Sequence, residues 1–264
     1  MKSSLKYRIF AGAAFLILLI WFVIPAVLTH NVPDLAKEKK SDVLPQIAYK
    51  VWDFYQKGRY VSPNTPKEAL DKDGNPILKK MIEEDAEIGV ASAPIWYVAL
   101  EAPNYPKEAF PEGIPVYYHF DGFSGDVHEM NTINHFIGMD PMERGAPYLR
   151  AIAPYVLVLL ALAYILFMLY NSKILDIFMW IAVALPVIFL GFYAYWLYWF
   201  GHHMHQWGAF KIKPFMPTVF GDGKVAQFTT HSYPTFGFWL LLAISILTLL
   251  AIISKRKALK EGNK

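Results

Sequence analysis

Histidine and methionine are concentrated in one stretch of this chain. Three His and three Met lie within the 24 residues from His119 to Met142. If residues 127–137 are helical and the helix ends at Gly138, two of these histidines lie two turns apart on one face. Imidazole and thioether ligands together suit copper, Cu(I) in particular; the alternative is that these side chains pack the segment on the rest of the protein. The predicted ligands of this first site are His128, His135, Met130 and Met139.

A second cluster of the same residue types follows a long apolar run. His202 and His205 share a helical face if the helix continues past Gly201. Short His-rich tracts often bind metal, but a polar cap at the membrane surface that happens to use histidine is an equally good interpretation. The predicted ligands here, in a second site or in a joint one, are His202, His203, Met204 and His205.

His231 is a more isolated candidate ligand. Residues 221–224 resemble a turn, and residues 225–230 alternate as a strand does, which predicts a hairpin-like flap over the membrane surface. Such a flap would return His231 towards His202 and His205. A single histidine in this position is, however, more often structural.

The composition indicates a membrane protein. Of the 264 residues, 55% are hydrophobic and only 18% are charged, below the roughly 25% charged residues of soluble domains. The absence of cysteine from the sequence excludes disulfides, covalently attached c-type haem, cysteine-ligated iron–sulfur clusters and thiolate-bound copper. The net charge of +3 gives no reason to expect an acidic partner, and we expect no nucleic-acid binding.

Four apolar windows are long enough to cross a bilayer, which takes about 20 residues as a helix. We predict an α-helical integral membrane protein with four transmembrane helices and a mixed extracytoplasmic cap of short helices and strands. Lys and Arg cluster before the first window, in the turn after the second and beyond the fourth, so the positive-inside rule places both termini in the cytoplasm. The first window is too long for a signal-peptide core and is expected to be an uncleaved anchor. The predicted segments are a cytoplasmic N-terminus (1–8), transmembrane helices 9–29, 151–170, 174–200 and 235–253, an extracytoplasmic domain (30–150), an extracytoplasmic loop (201–234) and a cytoplasmic basic tail (254–264).

This topology places all eight histidines and six of the nine methionines on the outer side. The windows contain no Lys, Arg, Glu or His, and Asp176 is their one acid. An ion path needs polar groups in the bilayer, so we expect the helices to be a scaffold. Residues 31–115 are rich in proline; there we expect an amphipathic helix over 46–60, a turn at 71–74 and a strand over 95–100, with a second strand over 116–120.

Two stretches carry a family resemblance: residues 131–139 with 147–150, and residues 210–217 with 228–234. They resemble the NosB-type integral membrane accessory proteins of clade II nitrous oxide reductase systems, over about a third of the chain. The resemblance implies a bacterial inner-membrane protein that supports periplasmic nitrous oxide respiration, with a copper-containing reductase as partner. It does not supply a molecular role.

Three functions remain open. The chain is a membrane accessory protein that handles copper on the periplasmic face, or a redox subunit that passes electrons from quinol to a periplasmic enzyme, or a non-catalytic anchor that docks a partner protein. The redox subunit would hold haem or copper through His202, His203 or His231. Catalysis by the chain itself is not expected, because no nucleophile–base pair or carboxylate pair stands out. Expected partners are the lipid bilayer and a periplasmic metalloenzyme or other membrane subunits.

Overall fold

The structure is a computed structural model. It describes residues 2–29, 92–103, 110, 112–127, 130, 133–134, 137–139, 142, 146–206 and 212–262. The helix expected over residues 46–60 and the turn expected at 71–74 lie outside the described residues.

Each of the four apolar windows coincides with a long helix. The first is a rod made of α1 (Lys2–Leu18), a π-helical turn (Leu19–Val23) and α2 (Ile24–Thr29). The others are α3 (Ala146–Leu169), α4 (Lys173–His202) and α5 (Phe236–Gly262). Among the residues that the structure describes, the helices long and apolar enough to cross a membrane are Leu5–Leu28, Ala151–Leu169, Lys173–His202 and Phe236–Glu261.

The helices pack as a ring of four. The N-terminal rod packs on α5 and α3, and α4 packs on the same two helices. Hydroxyl groups join the diagonal pair in the interior, where Tyr164 of α3 hydrogen bonds with Thr248 of α5. The strongly apolar outer surfaces of the helices, such as Leu159 at 65% and Val187 at 72% exposure, suit contact with lipid. The chain therefore has the features of a membrane-associated helical protein.

A five-stranded antiparallel sheet accompanies the helices. Its strands are β1 (Trp96–Glu101), β2 (Ile114–His119), β3 (Gly122–Gly125), β4 (Gly221–Val225) and β5 (Phe228–Pro234). The order across the sheet is β3-β2-β1-β5-β4. The two strands expected from composition near residues 95–100 and 116–120 are confirmed as β1 and β2.

The β4–β5 hairpin has its turn later than expected. Residues 221–224 form strand β4, and the reversal falls at Ala226 and Gln227, where Ala226 has φ +52°. The Asp-Gly pair at 222–223 is a strong turn signal, but here both residues pair with β5. A Cβ on Gly223 would lie 1.5 Å from Thr218 Oγ1, so the glycine is needed for close approach within a strand.

Proline explains one of the links between the sheet and the helices. Pro25 has no N–H to donate to the carbonyl of Trp21, four residues earlier. The backbone N–H of Ala93, just before β1, donates to that carbonyl at 2.9 Å instead. At the other side, the N–H of Gly237 in the first turn of α5 donates to Pro94 O at 3.0 Å. The segment before β1 is thus fixed between the first and last helices.

An aromatic cluster and one serine join the sheet to α4. Trp96 is buried against Phe189, Tyr193 and Phe238, with ring centroids 5.2–6.1 Å away. Its Nε1–H donates to Ser232 Oγ at 2.8 Å, and Ser232 donates to a backbone carbonyl at 2.8 Å. Because the serine proton is used, Tyr193 must donate in its 2.8 Å bond to Ser232. Ser232 therefore satisfies two buried donors from different elements.

Candidate functional site

The part of the first histidine–methionine segment that was expected to be helical, residues 127–137, is helical wherever it is described. The next residue, Gly138, has φ +86°. The N–H of Met139 donates to Asn134 O at 2.7 Å across this glycine, which is the Schellman arrangement that ends helices. The turn brings Met139 back beside the helix that carries Met130.

Three methionines from this segment line one cavity. Met130, Met139 and Met142 are each 6–8% exposed and line a cavity of about 80 Å³, which we call the methionine cavity. Its other walls come from the helix-facing side of the sheet, the C-terminal end of α4 and the chain segment around Phe215. Most of the lining is apolar, with Asn134 and Thr230 among the polar side chains. Three buried methionine side chains thus line one mainly apolar cavity.

The second cluster lies where α4 ends. The helix stops at His202, and His203 caps it with φ −109°, so the condition for His202 and His205 to share a helical face is not met. The cause is the chain segment after the helix, which crosses its end: the N–H of Phe215 donates to Gly201 O at 3.1 Å. A Cβ on Gly201 would lie 1.8 Å from Phe215 O, so this crossing requires glycine.

His202 and His203 are fixed in the same way. Each is exposed, and each Nδ1 lies 2.9 Å from the carbonyl four residues earlier, in Tyr198 and Trp199 respectively. A carbonyl only accepts, so Nδ1 is the donor in each bond, and in the neutral imidazole the lone pair is then on Nε2. The imidazoles also stack on Tyr198 and Trp199, with centroids 3.9 and 4.7 Å apart. These bonds cap the helix and at the same time leave Nε2 ready to bind a metal.

The two clusters are in contact. The backbone N–H of His205 donates to Gly138 O at 2.7 Å, which joins the second cluster to the turn that follows the first. Met204 is half-buried and packs against the hydrophobic core. His128 and His135 lie outside the described residues.

His231 lies on the other face of the sheet. Its neighbours Thr230 and Ser232 are buried towards the helices, so alternation along β5 directs His231 away from them. Its Nδ1 lies 2.7 Å from Asp222 Oδ1 and its Nε2 lies 3.4 Å from Glu101 Oε1. The hydrogen bond from His231 lowers the pKa of the Asp222 carboxyl. The flap returns His231 to these two carboxylates, not to the end of α4 as the sequence suggested.

Sequence reasoning missed a buried serine–histidine pair. His119 Nδ1 lies 2.8 Å from Ser92 O and Nε2 lies 2.6 Å from Ser124 Oγ. Since Nδ1 must donate to the carbonyl, Nε2 accepts from the Ser124 hydroxyl. Asp121 accepts from the Ser92 hydroxyl. Both members of the pair are at most 4% exposed, so the network joins the β2–β3 hairpin to the segment before β1 and gives no access to a substrate in solution.

The sequence gives no signal for that pair, because its five-residue spacing matters only once the turn at residues 120–121 is known. Over the described ranges, we find no group of three or more His, Asp or Glu side chains arranged to hold a metal ion.

A search for related proteins found no matching protein family, no matching curated protein and no matching solved structure.

Proposed function

We propose that this chain is a bacterial inner-membrane accessory protein that handles copper on the periplasmic face and supports a periplasmic copper reductase of nitrous oxide respiration. Both termini would lie in the cytoplasm, and the sheet and the two histidine–methionine segments would lie outside. The family resemblance of residues 131–139 and 228–234 supports the biological setting.

The observation that carries this proposal is that three buried methionines line the methionine cavity. Thioethers are soft ligands that select Cu(I). They carry no proton to lose, so they bind a cation without the ionisation that a buried carboxylate or thiol requires. Chance core packing would not need Met130, Met139 and Met142 in one wall, since Leu or Ile gives better-defined cores.

In this proposal, His202 and His203 form a first binding site for the same metal at the surface. Both side chains are exposed at the end of α4. The backbone contact of His205 with Gly138 joins this surface to the turn beside the methionine cavity. In this proposal copper is captured by the exposed imidazoles and moves to the thioethers. His128 and His135 would complete the inner ligand set.

A docking anchor is the second candidate function. It is favoured by the number of histidines that already have protein partners: His119 bonds to Ser92 and Ser124, and His231 contacts Asp222 and Glu101. An anchor would bind no copper.

A redox subunit containing haem or copper would be coloured when purified from native membranes.

The test is a Cu(I) competition titration against a chromophoric chelator, using the protein purified in mild detergent. We expect tight binding by the wild type and at least tenfold weaker binding, about 1.4 kcal/mol, when the three cavity methionines are replaced by leucine. Met179→Leu is the matched control, because Met179 is fully buried in α4 and does not line the cavity. Binding that survives the triple replacement, or no uptake by the wild type, would refute the proposal.

A further inference from the structure

A second cavity lies where the sheet meets α4. It has a volume of about 180 Å³ and lies under the end of β2. Its walls are almost entirely apolar and aromatic. The lining from α4 is Leu185, Ile188, Phe189, Phe192, Tyr193 and Trp196.

One side of this cavity opens on the outer surface of the helices. Ile188 and Phe192 belong to the lining and are 52% and 47% exposed. Both lie in the α4 segment apolar enough to cross a membrane, and Leu149 of α3 forms part of the wall. In a bilayer this opening faces hydrocarbon, so a ligand would enter from the lipid phase.

Tyr118 supplies a polar group without a partner. Its side chain lines both this cavity and the methionine cavity and is 8% exposed, and its hydroxyl makes no hydrogen bond within the described part of the chain. The ring is fixed by Phe123 and Tyr193, at centroid distances of 4.8 and 5.0 Å. Burial raises the pKa of Tyr118 well above its ordinary value, so the phenol keeps its proton. Buried hydroxyls nearly always have a partner.

The other polar groups in this wall are already engaged. Tyr193 donates to Ser232, and both ring nitrogens of His119 are hydrogen bonded. Tyr118 is therefore the donor that a ligand would use, and the ligand must bring an acceptor.

We infer that this cavity binds the ring of a lipid-soluble quinone, with the Tyr118 hydroxyl donating to a quinone carbonyl. A dry apolar cavity of about 150 Å³ holds benzene, so the volume here accommodates one substituted ring while the isoprenoid tail remains in the lipid. The electron-poor quinone ring suits the aromatic walls. The hydrocarbon of an acyl chain has no acceptor for the Tyr118 hydroxyl. The inference does not depend on copper binding.

The experiment is a titration of the copper-free protein in nanodiscs with decylubiquinone, followed by quenching of tryptophan fluorescence, since Trp196 lines the cavity. We expect saturable quenching in the wild type. Tyr118→Phe should bind about fivefold more weakly, as expected for one lost hydrogen bond. Leu185→Trp, which fills the cavity, should abolish the saturable phase. Tyr195→Phe is the matched control, because Tyr195 is 64% exposed on the same helix, and it should bind as the wild type does.

Decanol separates a quinone site from an acyl-chain site. It should not compete with decylubiquinone, since it has the tail without the ring. Equal competition by decanol, or wild-type affinity in both Tyr118→Phe and Leu185→Trp, would overturn the inference.

Discussion

Replacement of Lys255 by methionine should destabilise the helix bundle far more than the loss of any other lysine of α5. Lys255 is 1% exposed. Its Nζ donates to Phe167 O at 3.1 Å and to Tyr170 O at 2.9 Å, and it forms an ion pair with Asp176 Oδ1 at 3.2 Å. The ammonium group therefore donates to two helix carbonyls and is neutralised by one carboxylate. The same group lies 4.0 Å from the centroid of the Phe167 ring.

These partners explain the expected size of the effect. The two carbonyls belong to the end of α3, which leaves its last C=O groups without helical partners, and Asp176 lies in the first turn of α4. Lys255 thus connects α5 to α4 and to the diagonally opposite α3. Removing one member of a buried ion pair costs about 3–5 kcal/mol. Asp176 is 14% exposed and regains some hydration, so we expect a value near the lower end, about 3 kcal/mol.

The assay is unfolding in mixed detergent micelles, followed by circular dichroism. Lys257→Met is the matched control: it removes the same charge from an exposed position on the same helix and should change the free energy of unfolding by less than about 0.5 kcal/mol. Lys255→Met combined with Asp176→Asn should recover part of the loss, since no buried carboxylate is left unpaired. A Lys255→Met variant as stable as Lys257→Met would refute the reasoning.

Two further predictions concern the sheet. Ser232→Ala should lower the free energy of unfolding by about 3 kcal/mol, because Trp96 Nε1 and the Tyr193 hydroxyl both lose their buried acceptor; thermal unfolding measures this. Asp222 has a pKa lowered below 3.8 by the hydrogen bond from His231, so its stabilising contribution is present above that value and is lost as the pH falls through the folded pKa. Between about pH 5 and pH 3, the melting temperature of the wild type should therefore fall more than that of Asp222→Asn.

Each of these has its own control. Ser245 in α5 makes one hydrogen bond, to a helix carbonyl in α4, so Ser245→Ala should cost less than about 1 kcal/mol. A Ser232→Ala variant no less stable than this control would contradict the role given to Ser232. Parallel pH profiles of the wild type and Asp222→Asn would contradict the lowered pKa.

The long helices and the first two strands are predictable because their signals are local. An uninterrupted apolar run predicts a helix in lipid without tertiary information, and β1 and β2 carry aromatic and β-branched residues between turn signals. The turn expected at residues 221–224 is wrong because an Asp-Gly pair also suits a strand in which Thr218 packs against Gly223. Only the three-dimensional arrangement distinguishes these two uses of glycine.

The candidate sites were less predictable, since they depend on long-range contacts. Lys255 resembles any other residue of a basic cytoplasmic tail until α5 is seen to continue to Gly262 beside Asp176. His202 and His205 were expected to share a face if the helix continued past Gly201. The helix ends at His202, where the segment that contains Phe215 crosses it. The cavity lined by Met130, Met139 and Met142 depends on the Schellman turn at Gly138, and a single glycine in a sequence does not predict such a turn.

X-ray absorption at the copper edge tests most directly whether the methionines of the methionine cavity bind copper. Protein loaded with one equivalent of Cu(I) should show sulfur neighbours in the first coordination shell, because this cysteine-free chain can supply sulfur only from methionine. Those neighbours should disappear when Met130, Met139 and Met142 are replaced by leucine and persist in Met179→Leu. A first shell made of nitrogen and oxygen alone in the wild type would contradict the account.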